Sequence, residues 1–215
     1  MLNNGHHINL FYENRLFFSK NNKKRPAIFL DRDGVLIKEK HYISNIKDIE
    51  LEYGIEEVLK LANSLDIPII IVTNQSGIAR GFLKWDDYLN VTEEMINFLN
   101  KDNTLLAIYA NGLNANAPNK SWRKPNPSMI LNAAFTLDID LSKSLLIGDR
   151  LSDLISGEKA GIKHLMHVLT GHGSKERKKI ETYFSENNCN DEIELKLIDK
   201  FNKDSIAYIR KYFAN

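Results

Sequence analysis

Cysteine is nearly absent from this chain of 215 residues, in which Cys189 is the single example. One cysteine cannot close a disulfide within the chain, and no second cysteine is available for a thiolate zinc site. The sequence also has no uninterrupted apolar run of about 18 residues, the length that a membrane-spanning helix needs. No apolar run of the kind found in secretion signals lies near the N-terminus. We therefore expect a protein of the reducing cytoplasm with no membrane partner.

Net charge is also lacking, because 29 lysines and arginines are balanced by 28 acidic residues, which leaves a formal charge of +1. Such a balance gives no electrostatic reason to expect nucleic acid as a partner. Hydrophobic residues make up 43% of the chain and charged residues 27%, which is ordinary for a globular domain with a sizeable core. Any anion-binding site in this protein must therefore be local.

Short apolar runs alternate with helical patterns from Pro26 onward. The runs lie at residues 27–30, 69–72, 105–109, 144–147, 164–169 and, more weakly, 193–198. Because polar residues do not interrupt them, they predict strands that are buried on both faces, as in a parallel sheet. Between the runs, apolar residues recur at steps of three and four around residues 55–65, 88–99, 127–134 and 152–160. The sequence therefore predicts an α/β fold, a three-layer doubly wound parallel sheet that binds ligands at the carboxyl ends of its strands.

The chain is predicted to contain one main domain and a short extension. Residues 1–25 form the expected extension, in which the apolar residues between positions 8 and 18 favour either a small hairpin or a loosely attached segment. Residues 26–215 form the expected domain, with its motifs in residues 26–171 and a C-terminal strand and helix region in residues 172–215. No long insertion follows the first or second strand, so we expect no large cap domain.

Polar clusters follow four of the predicted strands. They read Asp-Arg-Asp-Gly at residues 31–34, Thr-Asn-Gln-Ser-Gly at 73–77, Arg-Lys-Pro at 123–125 and Gly-Asp at 148–149. Each cluster alone has an ordinary explanation as a turn, a helix cap or a solvated loop. Together they place carboxylates, a hydroxyl group and cations at one edge of one sheet, because the carboxyl ends of parallel strands meet there.

These clusters resemble the motifs of the haloacid dehalogenase superfamily of phosphatases. The resemblance rests on Phe-Leu-Asp-Arg-Asp-Gly-Val-Leu at residues 29–36, Val-Thr-Asn-Gln-Ser-Gly-Ile-Ala-Arg-Gly at 72–81, Arg-Lys-Pro at 123–125 and Ile-Gly-Asp at 147–149 with Asp153. Within the superfamily, the chain is most similar to the branch of heptose bisphosphate phosphatases and histidinol phosphatases. The likeness covers residues 26–171 with the motifs in the right order.

The resemblance implies a role for each residue that matches a motif. Asp31 is the expected nucleophile, which forms an aspartyl-phosphate, and Asp33 is the expected acid and base. Thr73 and Lys124 are expected to bind the phosphoryl group during its transfer. Mg²⁺ is the expected cofactor, with the Asp31 carboxylate, the backbone carbonyl of Asp33 and the Asp149 side chain as its ligands.

Substrate contacts are expected from residues around this catalytic group. Arg123 has a planar guanidinium that suits a second phosphate or a sugar hydroxyl. Arg150 stands where the branch usually has lysine, which keeps the charge and changes its reach. Asp153 is expected to orient Lys124 or metal-bound water, or to cap a helix. The other expected substrate-binding residues are Glu39, Lys40, His41, Tyr42, Asn74, Gln75 and Ser76.

The chain departs from the branch in the loop before the Arg-Lys-Pro motif. Relatives usually hold zinc there with Cys-x-His at one end of the loop and Cys-x-Cys at the other. This chain has Ala-Asn-Gly at residues 110–112 and Lys-Ser-Trp at 120–122. Zinc in the usual form is therefore not expected. Two alternatives are open: Trp122 and Pro118 order the loop by packing, or the loop closes only on substrate.

The sequence thus predicts a magnesium-dependent phosphatase of a phosphorylated sugar, with D-glycero-D-manno-heptose 1,7-bisphosphate as the leading substrate and lipopolysaccharide synthesis as its setting. Histidinol phosphate or another small metabolite is the close alternative, because the missing zinc loop weakens the substrate assignment more than the reaction class. A polynucleotide 3′-phosphatase is disfavoured by the balanced charge. A non-catalytic binding protein on the same fold is disfavoured by the intact pair of Asp31 and Asp33. The oligomeric state stays open, with a monomer favoured.

Overall fold

A computed structural model of the chain describes residues 2–3, 5–11, 24–99, 105–118, 121–186 and 192–214. The strands are β1 (Leu2–Asn3), β2 (His6–Leu10), β3 (Ile28–Leu30), β4 (Ile69–Asn74), β5 (Leu105–Asn111), β6 (Leu145–Gly148), β7 (His164–His167) and β8 (Glu194–Leu197). The helices are α1 (Ile55–Ser64), α2 (Trp85–Leu99), α3 (Ser128–Thr136), α4 (Leu151–Ala160), α5 (Gly173–Glu186) and α6 (Lys203–Ala214).

The strands form one sheet in the order β1-β2-β5-β4-β3-β6-β7-β8. Strands β3 to β8 are parallel to one another, whereas β2 pairs antiparallel with both β1 and β5. The chain winds from β3 through β4 to β5 on one side and then returns to β6, β7 and β8 on the other side. This arrangement confirms the doubly wound sheet, and its winding reverses between β3 and β6.

Two apolar cores cover the two faces of the sheet. Successive side chains of a strand point to opposite faces, so Ile28 and Leu30 join one core and Phe29 joins the other. Helices α1, α2 and α6 contribute to the first core, and α3, α4 and α5 to the second. The predicted three-layer architecture is therefore confirmed, and each of the six apolar runs overlaps a strand.

Short connections surround the carboxyl ends of the central strands. The segment between β3 and α1 contains a single 3₁₀ turn at Ile46–Asp48. Residues 75–84 connect β4 to α2. Among the described residues there is accordingly no large cap domain. None of the helices among the described residues is long and apolar enough to cross a membrane.

The N-terminal residues extend the sheet at its edge. Strand β2 pairs with β1 on one side and places His6 opposite Asn111 of β5 on the other. The predicted hairpin over residues 8–18 lies partly outside the described residues. Cys189 lies outside them as well. The division into an extension and one domain stays a prediction.

Candidate active site

A cavity of about 520 Å³ opens at the carboxyl ends of the central strands, beside the point where the winding of the sheet reverses. Asp31 follows β3, Thr73 lies near the end of β4, and Asp149 follows β6. The parallel register of β3 with both β4 and β6 brings these strand ends together. The sequence prediction that the polar clusters share one edge of the sheet therefore matches the geometry.

Three buried carboxylates cluster at the floor of this cavity, where Asp31 and Asp153 line it and Asp149 lies next to them. Asp31, Asp149 and Asp153 each offer an oxygen atom within 4.8 Å of the other two. Burial raises the pKa of Asp149, and the negative charges of Asp153 and Asp31 raise it further. The Oδ1 atom of Asp149 is buried and has no hydrogen-bond partner among the described residues. A hard divalent cation would bind such oxygen atoms and offset their repulsion, so this donor set fits Mg²⁺.

Lys124 lies against the same carboxylates. Its ammonium nitrogen is 2.8 Å from Asp31 Oδ1 and 2.7 Å from Asp153 Oδ1, and it also donates to the carbonyl oxygen of Val72. Burial by itself lowers the pKa of Lys124, but the attraction of Asp153 and Asp31 outweighs burial and raises it. Burial raises the pKa of Asp31, while Lys124 opposes that rise. The ammonium group therefore stays charged beside the expected nucleophile.

Asn74 ties the loop that carries Lys124 to the end of β4. Its side-chain amide donates to the backbone carbonyl of Lys124, and its side-chain oxygen accepts from the Lys124 N–H, each at 3.1 Å. Both polar groups of Asn74 are thus used within the protein. Asn74 was predicted as a substrate-binding residue. In this structure it lines the cavity and positions Lys124 at the floor.

Asp33 belongs to a polar network beside the floor. Arg32, which is 1% exposed, donates to both carboxylate oxygens of Asp33 and to the side chain of Gln75. Gln75 in turn donates to Asp33 Oδ2 at 2.8 Å and to Thr73 Oγ1 at 2.9 Å. Gln75 therefore links the expected acid and base to the hydroxyl group that is expected to contact phosphate.

Three arginines converge on the outer part of the cavity. Arg80, Arg123 and Arg150 all line it, and no salt bridge involves any of them within the described ranges. Burial lowers the pKa of Arg123, and the charges of Arg150 and Arg80 lower it further, which shows that the three cations influence one another. Uncompensated guanidinium groups at one opening favour a substrate with an additional anionic group.

An aromatic pair supports Arg80 at this opening. The rings of Tyr42 and Phe82 stack with centroids 5.1 Å apart, and the Arg80 guanidinium lies 5.0 Å from the Tyr42 ring and 5.5 Å from the Phe82 ring. Arg80 also donates to the hydroxyl of Tyr42 and to Ser76 Oγ. The predicted substrate-binding residues Tyr42 and Ser76 therefore both contact an arginine to which the sequence gave no role.

Glu39, His41 and His172 also line the cavity. Glu39 accepts from the backbone N–H of His41, and the ring of His172 approaches it at 3.7 Å. The His172 backbone N–H donates to Asp149 Oδ2 at 2.6 Å. Lys40 does not line the cavity, because its ammonium group pairs with Glu50.

Sequence reasoning missed Arg80 and His172 for different reasons. Arg80 lies within the motif at residues 72–81, so its presence near the site was signalled although no role was assigned. His172 lies in the connection between β7 and α5, and only the pairing of β6 with β7 brings that connection next to Asp149. No local pattern around residue 172 indicates that proximity.

Comparisons with known proteins agree with this geometry. A D-glycero-beta-D-manno-heptose-1,7-bisphosphate 7-phosphatase of Helicobacter pylori is 39% identical over 142 residues, which cover 64% of this chain and 80% of that protein. A D-glycero-alpha-D-manno-heptose-1,7-bisphosphate 7-phosphatase of Photorhabdus laumondii is 38% identical over 164 residues, which cover 73% of this chain and 89% of that protein. A family model described as HAD-hydrolase-like matches residues 121–188.

A solved structure shares the fold. It is a D,D-heptose 1,7-bisphosphate phosphatase from B. bronchiseptica complexed with magnesium and phosphate, with a TM-score of 0.68 at 22% identity over 88% of this chain and 98% of that one.

Both sequence relatives are named as phosphatases, which hydrolyse phosphate esters, and this chain is a phosphatase. It belongs to the haloacid dehalogenase superfamily, in the branch that contains the heptose bisphosphate 7-phosphatases.

Proposed function

We propose that this protein removes the 7-phosphate from D-glycero-D-manno-heptose 1,7-bisphosphate with Mg²⁺ as its cofactor. The observation that carries the proposal is a cavity with cationic side chains in two separate regions. Its floor combines buried carboxylates with Lys124, and its outer part presents Arg80, Arg123 and Arg150 without carboxylate partners in the described chain. The names of the sequence relatives support the same substrate.

The reaction begins at the floor of the cavity. A carboxylate oxygen of Asp31 forms a bond to the phosphorus atom, and the bond between phosphorus and the sugar oxygen breaks. Asp33 gives its proton to that leaving oxygen. Lys124 and Thr73 stabilise the charge that moves onto the phosphoryl oxygens. Asp31, Asp149 and the backbone carbonyl of Asp33 would hold Mg²⁺, which would supply positive charge to offset the repulsion between the phosphate and an anionic oxygen.

A second step regenerates the enzyme. Asp33 accepts a proton from water, whose oxygen bonds to phosphorus while the bond between phosphorus and Asp31 breaks. Inorganic phosphate and the free Asp31 carboxylate are the products. The hydrogen bonds from Gln75 and Arg32 hold the Asp33 carboxylate beside Thr73 before substrate binds.

The outer arginines support a second phosphate on the substrate. Arg123 is half-buried and its side chain donates to the backbone carbonyl of Leu113, so its guanidinium is fixed in direction without being neutralised. A planar guanidinium binds two phosphate oxygens at once. A substrate with a single phosphate, such as histidinol phosphate, would leave these cations without a counter-charge, which is why we prefer a bisphosphate.

The test is a comparison of phosphorylated metabolites with Mg²⁺ and with EDTA. We expect kcat/KM for heptose 1,7-bisphosphate to exceed that for histidinol phosphate and simple monoesters by about tenfold or more, as one fixed anion contact allows. EDTA should abolish turnover of every substrate. A preference for histidinol phosphate or for single-phosphate sugars would overturn the substrate assignment.

The nucleophile is tested separately. Asp31→Asn should abolish turnover and leave the thermal unfolding midpoint close to or above that of the wild type, because the variant removes one of three mutually repelling carboxylates. Turnover by a folded Asp31→Asn protein would contradict the covalent route.

A further inference from the structure

The loop between β5 and Arg123 has no zinc ligands of the usual kind, yet it must hold Arg123 in a defined position. Residues 114–116 of this loop line the cavity, and Arg123 stands at its far end. Two polar contacts fix the near end of the loop. Asn111 and Arg123 both donate to the carbonyl oxygen of Leu113, at 3.2 and 3.1 Å. The placement of the Arg123 guanidinium therefore depends on the placement of Leu113.

Residues near the N-terminus contact the segment that contains Leu113. The carbonyl oxygen of Gly5 accepts from the Gly112 N–H at 2.8 Å, and β2 places His6 opposite Asn111. A Cβ atom added at Gly5 would lie 2.7 Å from Cδ2 of Leu113, so the Gly5 backbone packs directly on that side chain. The φ angle of Gly5 is +83°, which also favours glycine there.

The other end of the loop is held by an aromatic stack. Trp122, the residue before Arg123, lies flat on the ring of His6, with centroids 4.7 Å apart and an angle of 9° between the planes. Tyr109 of β5 contacts the same indole, at 5.7 Å between centroids. A stacked pair of this geometry restricts both rings. The predicted role of Trp122 in ordering the loop by packing thus has a specific partner in β2.

We propose that Gly5 and strand β2 together are a positioning element of the substrate site, in which Gly5 contacts Leu113 and His6 contacts Trp122, and that these contacts place Arg123 for the second phosphate of the substrate. This inference rests on the proposed function for the identity of that phosphate. His6 acts through Trp122 and does not line the cavity.

The kinetic test uses His6→Ala, with His6→Phe as the variant that keeps a flat ring. We expect His6→Ala to raise KM for the bisphosphate by about tenfold with kcat changed less than about twofold, because one oriented contact is lost and the floor is untouched. Turnover of p-nitrophenyl phosphate, which has one phosphate, should not change. His6→Phe should restore most of the affinity. Equal losses with both substrates, or no loss with the bisphosphate, would overturn the proposal.

A matched control separates this effect from general weakening of the strand. Asn9→Ala lies in the same strand, opposite Ile108 and away from the loop, and should leave KM unchanged. Trp122→Ala removes the same stack from the other side and should reproduce His6→Ala if the latter folds poorly. In an Arg123→Ala background, His6→Ala should have no further effect on KM. Additive losses in that double variant would contradict a role through Arg123.

Hydrogen exchange distinguishes this proposal from the proposed function. Without any substrate, the amides of residues 112–117 should exchange faster in His6→Ala than in the wild type, whichever metabolite the enzyme prefers. Unchanged exchange would refute the positioning role even if the bisphosphate is the substrate. Faster exchange in a protein that prefers a monophosphate would refute the proposed substrate alone.

Discussion

Replacement of Lys124 by methionine tests how the charges at the floor of the site support one another. Lys124 is 3% exposed and lies within 2.8 Å of carboxylate oxygens of both Asp31 and Asp153. Methionine has a similar volume, so the change leaves little empty space. It removes the one ammonium group that offsets two buried carboxylates. Loss of one partner from a buried ion pair costs about 3–5 kcal/mol, because the remaining charge stays away from water.

The expected size of the loss depends on pH. Burial and the neighbouring carboxylates already raise the pKa of Asp31, and Lys124 is the main group that opposes this rise. In Lys124→Met, the folded protein should therefore bind a proton at Asp31 more strongly than the unfolded chain does. A raised pKa in the folded state contributes stability below that pKa and loses it as pH rises. The deficit relative to the wild type should accordingly be largest near pH 8 and shrink towards pH 5.

Urea unfolding at several pH values measures this deficit. One additional proton on the folded variant recovers about 1.4 kcal/mol per pH unit over the range in which it is bound. Lys163→Met is the matched control, because Lys163 pairs with Glu192 at the surface, with exposed fractions of 42% and 65%. We expect that control to lose less than about 1 kcal/mol. A Lys124→Met protein that matches the control, or whose deficit grows on acidification, would refute the reasoning.

Three further outcomes follow from the same structure. Asn74→Ala should lower kcat by about tenfold with little change in the unfolding midpoint, because it removes both hydrogen bonds between the Asn74 side chain and the Lys124 backbone. Unchanged steady-state kinetics would contradict this. Phe29→Ala should lower the free energy of unfolding in urea by about 3–5 kcal/mol, because the Phe29 side chain of β3 is fully buried in the second of the two cores. Addition of Mg²⁺ to the metal-free protein should raise the unfolding midpoint of the wild type and not that of Asp149→Asn, as followed by calorimetry.

Local sequence patterns predicted most of the central sheet. The apolar runs that became β3 to β7 are buried on nearly every residue, and that is why they are uninterrupted in the sequence. Strand ends were less accessible to prediction. Strands β4 and β5 continue to Asn74 and Asn111, two polar residues that pair with each other in the sheet. Polar side chains at strand ends look like loop residues until their partner strand is known.

The edge strand and the outer arginines show what a linear pattern leaves out. Residues 6–10 gave only a weak strand signal, and their pairing with β5 joins positions about one hundred residues apart, such as His7 and Ala110. The contact of Arg80 with Tyr42 and Phe82 likewise joins the connection after β3 to the connection after β4. A motif identifies residues that are close together in the sequence. These contacts join segments that are distant in the sequence and become adjacent only in the folded protein.

The net charge of the whole chain is near zero, but the charged side chains of the cavity differ between its floor and its opening. Carboxylates and one lysine are buried at the floor, while Arg80 and Arg150 are exposed at the opening and Arg123 lies half-buried between them. A substrate with two phosphates satisfies both regions only in an orientation that brings one phosphate to Asp31 and leaves the other at the arginines. Selection of the phosphate to be removed therefore depends on the spacing between floor and opening. In the proposed function Arg123 binds the second phosphate, so we expect the contacts of Gly5 with Leu113 and of His6 with Trp122 to influence which phosphate the enzyme removes.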